Sequence, residues 1–281
     1  MRILLTGRNG QVGWELERSL APLGEIIATD RATLDLADAD AIERFVREAK
    51  PDLIVNAAAY TDVDQAEAQA ELAMRINGVA PGVLAEEAKR LGAWLIHYST
   101  DYVFDGAKRA PYLESDAPNP INLYGRSKLA GEQAIVASGV RHLMLRTSWV
   151  YGLRGRNFLL AILQRAQSGA ALRVVDDQIG APTWCRQIAE ATARVVAART
   201  DVGGTYNLSA GGETTWCGFA RAIVALAGIE TVVQPIATAD YPTVAERPRY
   251  SVLDGARLAR DCGISLPDWR DGLSRCMAER A

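Results

Sequence analysis

The opening run Met-Arg-Ile-Leu-Leu-Thr-Gly-Arg-Asn-Gly-Gln-Val-Gly constrains the fold more tightly than any other stretch of the chain. Residues 3–5 are an apolar run of strand length. Gly7, Gly10 and Gly13 follow at three-residue intervals, and an amphipathic helical pattern covers residues 11–22. A strand, a glycine-rich turn and a helix start, in that order, make an anion site. Backbone N–H groups and the helix dipole point at a diphosphate, and the missing Cβ atoms let it approach. The spacing is G-x-x-G-x-x-G rather than G-x-G-x-x-G. Its place at the end of a strand favours dinucleotide binding over a flexible turn, with Gly7, Asn9, Gly10, Gln11 and Val12 as the expected contacts.

The second predicted strand, residues 25–29, ends at Asp30-Arg31. A carboxylate there accepts hydrogen bonds from adenosine ribose hydroxyls, whereas an arginine favours a 2′-phosphate. Both are present, and Arg8 in the turn is a second phosphate contact. NADPH and NADH therefore both stay open as cofactors, with a lean to NADPH.

At 281 residues and 49% hydrophobic, the chain can bury a substantial core as one large domain or two small ones. A net charge of −3 gives no global basic field for nucleic acid. No apolar stretch approaches the ~20 residues needed to span a bilayer. The N-terminus enters a strand directly, which leaves no room for a signal peptide. Cys185, Cys217, Cys262 and Cys276 lack C-x-x-C spacing and flanking ligands. Together these features point to a reduced cytoplasmic protein. His97 and His142 fall in predicted strands and read as structural.

Strand and helix patterns alternate through the first half. Ile26–Ala28, Leu53–Val55, Trp94–Ile96 and Leu143–Leu145 read as buried strands; residues 39–49, 66–91 and 124–137 read as helices. The alternation predicts an α/β fold, a Rossmann-like doubly wound parallel sheet with a smaller α/β substrate-binding lobe. Residues 1–150 are expected to form mainly the dinucleotide-binding domain. Residues 151–281 are expected to form mainly the substrate lobe, with some segments returning to the first domain. That second half carries helices near 157–168 and 216–227 and strands near 173–175 and 205–208.

Ligands of such sheets bind beyond the carboxyl ends of the strands. Ala57, Ala58 and Ala59 follow the third strand and would let the backbone pass close beneath a cofactor. Thr100, Asp101 and Tyr102 follow the fourth, and Trp149 the fifth. Tyr124 and Lys128 stand four apart on one predicted helix and so share a face. A cation beside a phenol favours the phenolate, which brings an unperturbed pKa of about 10 closer to use in proton transfer.

With those segments in view, the chain resembles the extended short-chain dehydrogenase/reductase family along nearly its whole length. The resemblance is carried by Thr6-Gly7-x-x-Gly10-Gln11-x-Gly13-Trp14-Glu15, Asn56-Ala57-Ala58-Ala59-Tyr60-Thr61, and Ser99-Thr100-Asp101-Tyr102-Val103-Phe104. Tyr124-Gly125-x-Ser127-Lys128, Arg146-Thr147-Ser148-Trp149, Asp177-Gln178-x-Gly180-Ala181-Pro182-Thr183 and Arg247-Pro248 complete it. It implies NAD(P)H-dependent reduction of the C4 ketone of dTDP-4-dehydro-β-L-rhamnose to dTDP-β-L-rhamnose, a sugar donor for cell-surface polysaccharide. It implies Tyr124 as proton donor, Lys128 as the residue that lowers its pKa and holds the nicotinamide ribose, and Thr100 as hydrogen-bond donor to the carbonyl. Val63, Asp101, Tyr102 and Trp149 match positions beside the sugar.

Some relatives hold magnesium with three acidic positions at a dimer interface, the first matching Glu15. The second falls on Arg186 and the third near Asp268-Trp269-Arg270-Asp271, on Arg270. Arginines oppose a cation, so no such metal is expected, and monomer and homodimer both stay open. A 4,6-dehydratase of the same superfamily uses Thr-Asp-Glu, whereas this chain has Thr100-Asp101-Tyr102. A 4-epimerase or other 4-ketoreductase, and a non-catalytic NADP-binding regulatory subunit, are the remaining alternatives. Turnover by the isolated chain separates the last of these.

Overall fold

The computed structural model describes residues 1–169, 171–198 and 202–280. In chain order the first half carries β1 (Arg2–Thr6), α1 (Gln11–Leu20), β2 (Glu25–Thr29), α2 (Ala39–Ala49), β3 (Leu53–Asn56), α3 (Val63–Ala68), α4 (Ala70–Met74), α5 (Ala80–Leu91), β4 (Trp94–Thr100), α6 (Leu123–Ser138) and β5 (His142–Thr147). The second half adds β6 (Val150–Tyr151), α7 (Phe158–Gln167), β7 (Leu172–Val175), β8 (Ile179–Gly180), β9 (Thr183–Trp184), α8 (Cys185–Ala198) and β10 (Gly204–Asn207). It ends with β11 (Thr214–Thr215), α9 (Trp216–Leu226), β12 (Val233–Ile236), α10 (Ala256–Cys262) and α11 (Trp269–Ala278).

Six strands pair in the order β2-β1-β3-β4-β5-β10, all parallel. Successive strand side chains point to opposite faces, so every core strand must be apolar on both. Ile3, Leu5, Val55, Ile96 and Leu145 pack beneath α1 and α8, while Leu4, Ile54 and Leu95 pack beneath α2, α5 and α6. This is the doubly wound, Rossmann-type sheet the alternation predicted. β10 forms its edge and α8 lies along α1, so the chain returns to the sheet after residue 151. A second core gathers α7, α9 and α11 around Tyr151, Trp184 and Phe219. Small pairs surround it: β7 with β12, β8 with β11, β6 with β9. Among the described residues no helix is long and apolar enough to cross a membrane.

The helix expected over residues 66–91 is broken. α3, α4 and α5 are separate, and Arg75–Val79 forms a π-helical turn. Pro81 in the first turn of α5 is the physical reason. Its ring would collide with the carbonyl of residue 77 in a regular α-helix, and the wider turn moves that carbonyl aside. Gly131 on α6 receives it: a Cβ there would lie 2.2 Å from the Asn77 carbonyl oxygen.

Candidate active site

β1 delivers the chain to Gly7, whose φ of +76° lies in the left-handed region. A Cβ on Gly7 would lie 2.8 Å from the Ala58 backbone, and one on Gly13 would lie 2.0 Å from the Gly7 carbonyl oxygen. The turn is therefore pressed against the exit of β3 on one side and against α1 on the other. Gly10 is the N-cap of α1, with no side-chain cap and no acid in the first turn. The first N–H groups of α1 are thus left for an anion, and the cradle fits a dinucleotide diphosphate.

Asp30, just beyond β2, accepts from Asn9 Nδ2 at 3.1 Å and from the Ala32 and Thr33 N–H groups at 3.0 and 3.1 Å. The Thr33 backbone N–H, then its hydroxyl, hold the Asp30 carboxyl below its ordinary value. Arg31 beside it is 76% exposed and lies 3.9 Å from Asp35. Arg8 is engaged with Glu17 at 2.7 Å.

Ala57, Ala58 and Ala59 leave β3 half-buried. The next residue is clamped by the π-helical turn: Tyr60 N–H donates to Asn77 Oδ1 at 2.8 Å. Asn77 Nδ2 in turn donates to Tyr60 O and to Ser127 Oγ, both at 3.0 Å. Asn77 thus ties the loop after β3 to α6. Sequence reasoning missed it; its one signal was a proline four residues on, inside a helical pattern.

The start of α6 is fixed from three directions. Asn122 Oδ1 caps it by accepting from Gly125 N–H at 2.8 Å, Asn122 Nδ2 donates to Glu246 O at 2.8 Å, and Leu123 N–H donates to Glu67 Oε1 at 2.8 Å. At Gly125 a Cβ would lie 2.1 Å from Tyr102 O, so glycine alone lets this turn seat against residues 101–103. The seating sets the Tyr124 ring edge-on to Tyr102, 5.8 Å between centroids, and puts the Thr100 side chain near enough to favour the phenolate. Thr100 Oγ1 donates to Asp101 Oδ1 at 3.0 Å and accepts from Tyr102 N–H at 3.1 Å. Thr100, Asp101, Tyr102 and Tyr124 therefore form one contact group at the carboxyl end of β4.

Burial pushes the Tyr124 phenol up to about 12, against the pull of the nearby Thr100 hydroxyl. Lys128 Nζ donates to the Tyr98 carbonyl at 2.6 Å, and burial brings Lys128 itself down to about 8, against the opposing charge of Glu132. Asp101 is pushed up to about 7, again chiefly by burial. Below them Glu132 and Arg146 form a buried bidentate pair at 2.9 and 2.6 Å, which pins α6 to β5.

Trp149 adopts φ +45°, rare for a bulky residue and a mark of local strain. Its indole lies flat on Trp216, 3.4 Å between centroids with planes 1° apart, and across Gly180, where a Cβ would come within 2.3 Å of the ring. Trp216, at the start of α9, was not anticipated; its Nε1 donates to Gln178 Oε1 at 3.2 Å. Val63 opens α3, which packs on α6, and the neighbouring Asp64 pairs with Arg247 at 2.8 Å.

Arg186 Nε donates to Glu15 Oε2 at 3.1 Å, and its Nη1 reaches Glu279 Oε1 at 2.6 Å. Glu279 lies at the end of α11. Arg270 sits in the first turn of that helix, 3.6 Å from Asp268 and over the Trp269 ring at 4.5 Å. A guanidinium already stands between the two carboxylates. Among the described residues no group of three or more His, Cys, Asp or Glu is placed to hold a metal ion.

Comparison with known proteins agrees along the whole chain. A dTDP-4-dehydrorhamnose reductase of Burkholderia thailandensis is 46% identical, covering 99% of each chain, and that of Escherichia coli K12 is 44% identical, covering 99% of this chain and 98% of its own. The structure of the Bacillus anthracis dTDP-4-dehydrorhamnose reductase in complex with NADP superposes with a TM-score of 0.95 at 35% identity, covering 99% of both chains. A UDP-glucose 4-epimerase of Thermus thermophilus, in complex with NAD, is 22% identical at a TM-score of 0.85 over 99% of this chain and 98% of its own, and shares the fold. The profile described as RmlD substrate binding domain matches residues 1–281, and the chain belongs to that family.

Proposed function

We propose that this protein reduces the C4 ketone of dTDP-4-dehydro-β-L-rhamnose to dTDP-β-L-rhamnose with NADPH, NADH being the second choice. One observation carries the reading: Tyr124 stands beside Thr100 and Tyr102 at the carboxyl end of a central strand, with the buried Lys128 one helical turn on. Full-length similarity to named dTDP-4-dehydrorhamnose reductases, one of them solved with NADP, supports the substrate and the cofactor.

In this reading Gly7, Asn9, Gly10, Gln11 and Val12 hold the diphosphate, Asp30 and Arg31 flank the adenosine ribose, and Ala57, Ala58 and Ala59 line the floor. The nicotinamide, when bound, supplies a hydride. As negative charge builds on the ketone oxygen, the Thr100 hydroxyl stabilises it and the Tyr124 Oη proton neutralises it. A phenol kept protonated by burial starts in the form a proton donor needs. Lys128, held against the Tyr98 carbonyl, keeps a cationic donor at the ribose side of Tyr124. Val63, Asp101, Tyr102 and Trp149 face the sugar, and residues 151–281 form most of the lobe that carries it. The purified chain should oxidise one equivalent of NADPH per equivalent of the 4-ketosugar nucleotide; absence of turnover by the isolated chain would favour a regulatory subunit.

A further inference from the structure

Neither face of the Trp149 indole is free for a ligand. Trp216 covers one, with planes 1° apart. Gly180 covers the other: a Cβ built there would lie 2.3, 2.5 and 2.7 Å from Trp149 Cε2, Nε1 and Cζ2. A point in the ring plane outside Cε2 would be nearer to Nε1 and Cζ2, so this one stands above the plane. Its three nearest atoms include none of Trp216, so the glycine and Trp216 take opposite faces. Only an edge of Trp149 is left to meet a sugar. The backbone beneath is pinned as well: Ser148 Oγ donates to Ala181 O at 2.9 Å, and Thr183 N–H donates to Trp149 O at 3.2 Å. A bulky residue at φ +45° persists only where its surroundings over-determine it.

Trp216 is itself fixed by hydrogen bonds that run in one consistent direction. An indole nitrogen only donates, so the Gln178 atom 3.2 Å from Trp216 Nε1 is the carboxamide oxygen, and Gln178 Nε2 donates to Thr238 Oγ1 at 3.1 Å. Thr238 Oγ1 gives its own proton to Asp177 Oδ1 at 2.6 Å, and that carboxylate oxygen also accepts the Thr238 N–H at 2.9 Å. Gln178 is 6% exposed, so an unpaired end of its amide would be costly. We propose that Gln178 is a positioning residue for the sugar nucleotide: anchored from Asp177 through Thr238, it fixes the Trp216 indole, and Trp216 with Gly180 holds Trp149 so that its edge meets the sugar. The role deepens the reductase reading and rests on it for the identity of the ligand. Gln178 acts on that ligand through two aromatic rings.

Gln178→Met keeps the length and burial of the side chain and removes the indole's acceptor; Trp216→Phe keeps a ring on Trp149 and removes the indole donor. With 15N-labelled indoles the six tryptophans give six N–H resonances, and Trp149→Phe and Trp216→Phe assign the pair. In the wild-type protein the Trp216 N–H should exchange slowly with solvent, and the Trp149 N–H should carry the ring-current shift of its neighbour. Gln178→Met should speed the first and shrink the second. A Trp149 resonance that Gln178→Met leaves in place overturns the proposal, whether or not the protein reduces sugars. Calorimetry with dTDP-β-L-rhamnose should show about tenfold weaker binding to Gln178→Met, the scale of one hydrogen bond, with NADPH binding unchanged. Adding Trp216→Phe should cost little more than either change alone, because both break the same link. Additive losses, wild-type affinity in Gln178→Met, or equal weakening of both ligands would overturn it. If Gln178→Met fails to fold, Thr238→Val, which frees the amide nitrogen alone, carries the same measurements. A wild-type protein that binds NADPH but no dTDP-β-L-rhamnose sinks the reductase reading and the ligand with it, while the indole resonances still decide whether Gln178 holds the pair.

Discussion

Tyr124 is a weaker acid here than in water: it is protonated before reaction and gives up that proton only as negative charge builds on the ketone oxygen. Replacing it by phenylalanine removes the transferable proton while keeping the ring against Tyr102. Tyr124→Phe should retain NADPH binding and lose about 10²–10⁴-fold in kcat; near wild-type turnover would refute the proton-donor role. Asp101 offers an independent check on the burial behind both shifts. Its folded pKa of about 7 lies above the unfolded value of about 4. Between those values the folded protein keeps a proton that the unfolded chain has lost, so stability falls as pH rises through that window. Asp101→Asn should therefore be more stable than wild type at pH 8, on the order of 2–4 kcal/mol, and near parity at pH 4. Denaturant unfolding at both pH values measures it, and an equal difference at the two would count against a buried, destabilised carboxylate.

At the scale of elements, the site depends on close backbone approaches that only glycine permits. Gly125→Ala would drive a methyl into the Tyr102 carbonyl, 2.1 Å away, and lift the first turn of α6 from residues 101–103. We expect a stability loss of roughly 1–3 kcal/mol, with catalysis falling further than unfolding accounts for; unchanged kcat in the folded variant would contradict this seating. Trp149→Ala and Trp216→Ala should both weaken sugar-nucleotide binding more than cofactor binding, since each removes one face of a single aromatic stack. Calorimetry with each ligand decides it, and equal losses for both ligands would indicate general unfolding. The glycine turn, the central strands and the Thr100–Tyr124–Lys128 set were legible because strand periodicity and fixed spacing encode them locally. Asn77, Trp216 and Glu279 were not, because each acquires its partner across many residues of chain: Asn77 through a helix break, Trp216 by meeting Trp149, Glu279 by reaching Arg186 from α11. The balance of charge on Tyr124 was equally hidden, since spacing places Lys128 beside it but only the packed structure shows how much water is excluded.

At the scale of the whole molecule, the Glu15–Arg186–Glu279 bridge is one polar link between the two cores, connecting α1, α8 and α11. Arg186→Leu would leave two carboxylates facing each other without a cation. The bridge is about a third exposed on the arginine side, so the expected loss is modest, about 1 kcal/mol and larger at low salt. Thermal unfolding at two ionic strengths measures this, and a salt-independent effect would point to packing instead. Because a guanidinium fills the space between the carboxylates, chelation by EDTA should leave both unfolding and turnover unchanged; a loss of either would mean a cation is held after all. The central claim concerns where the reacting oxygen sits between the two cores. A crystal structure with NADP⁺ and dTDP-β-L-rhamnose should place the sugar O4 within about 2.6–3.2 Å of both Tyr124 Oη and Thr100 Oγ1. An O4 bound beyond reach of Tyr124, with another side chain as its proton source, would contradict the account.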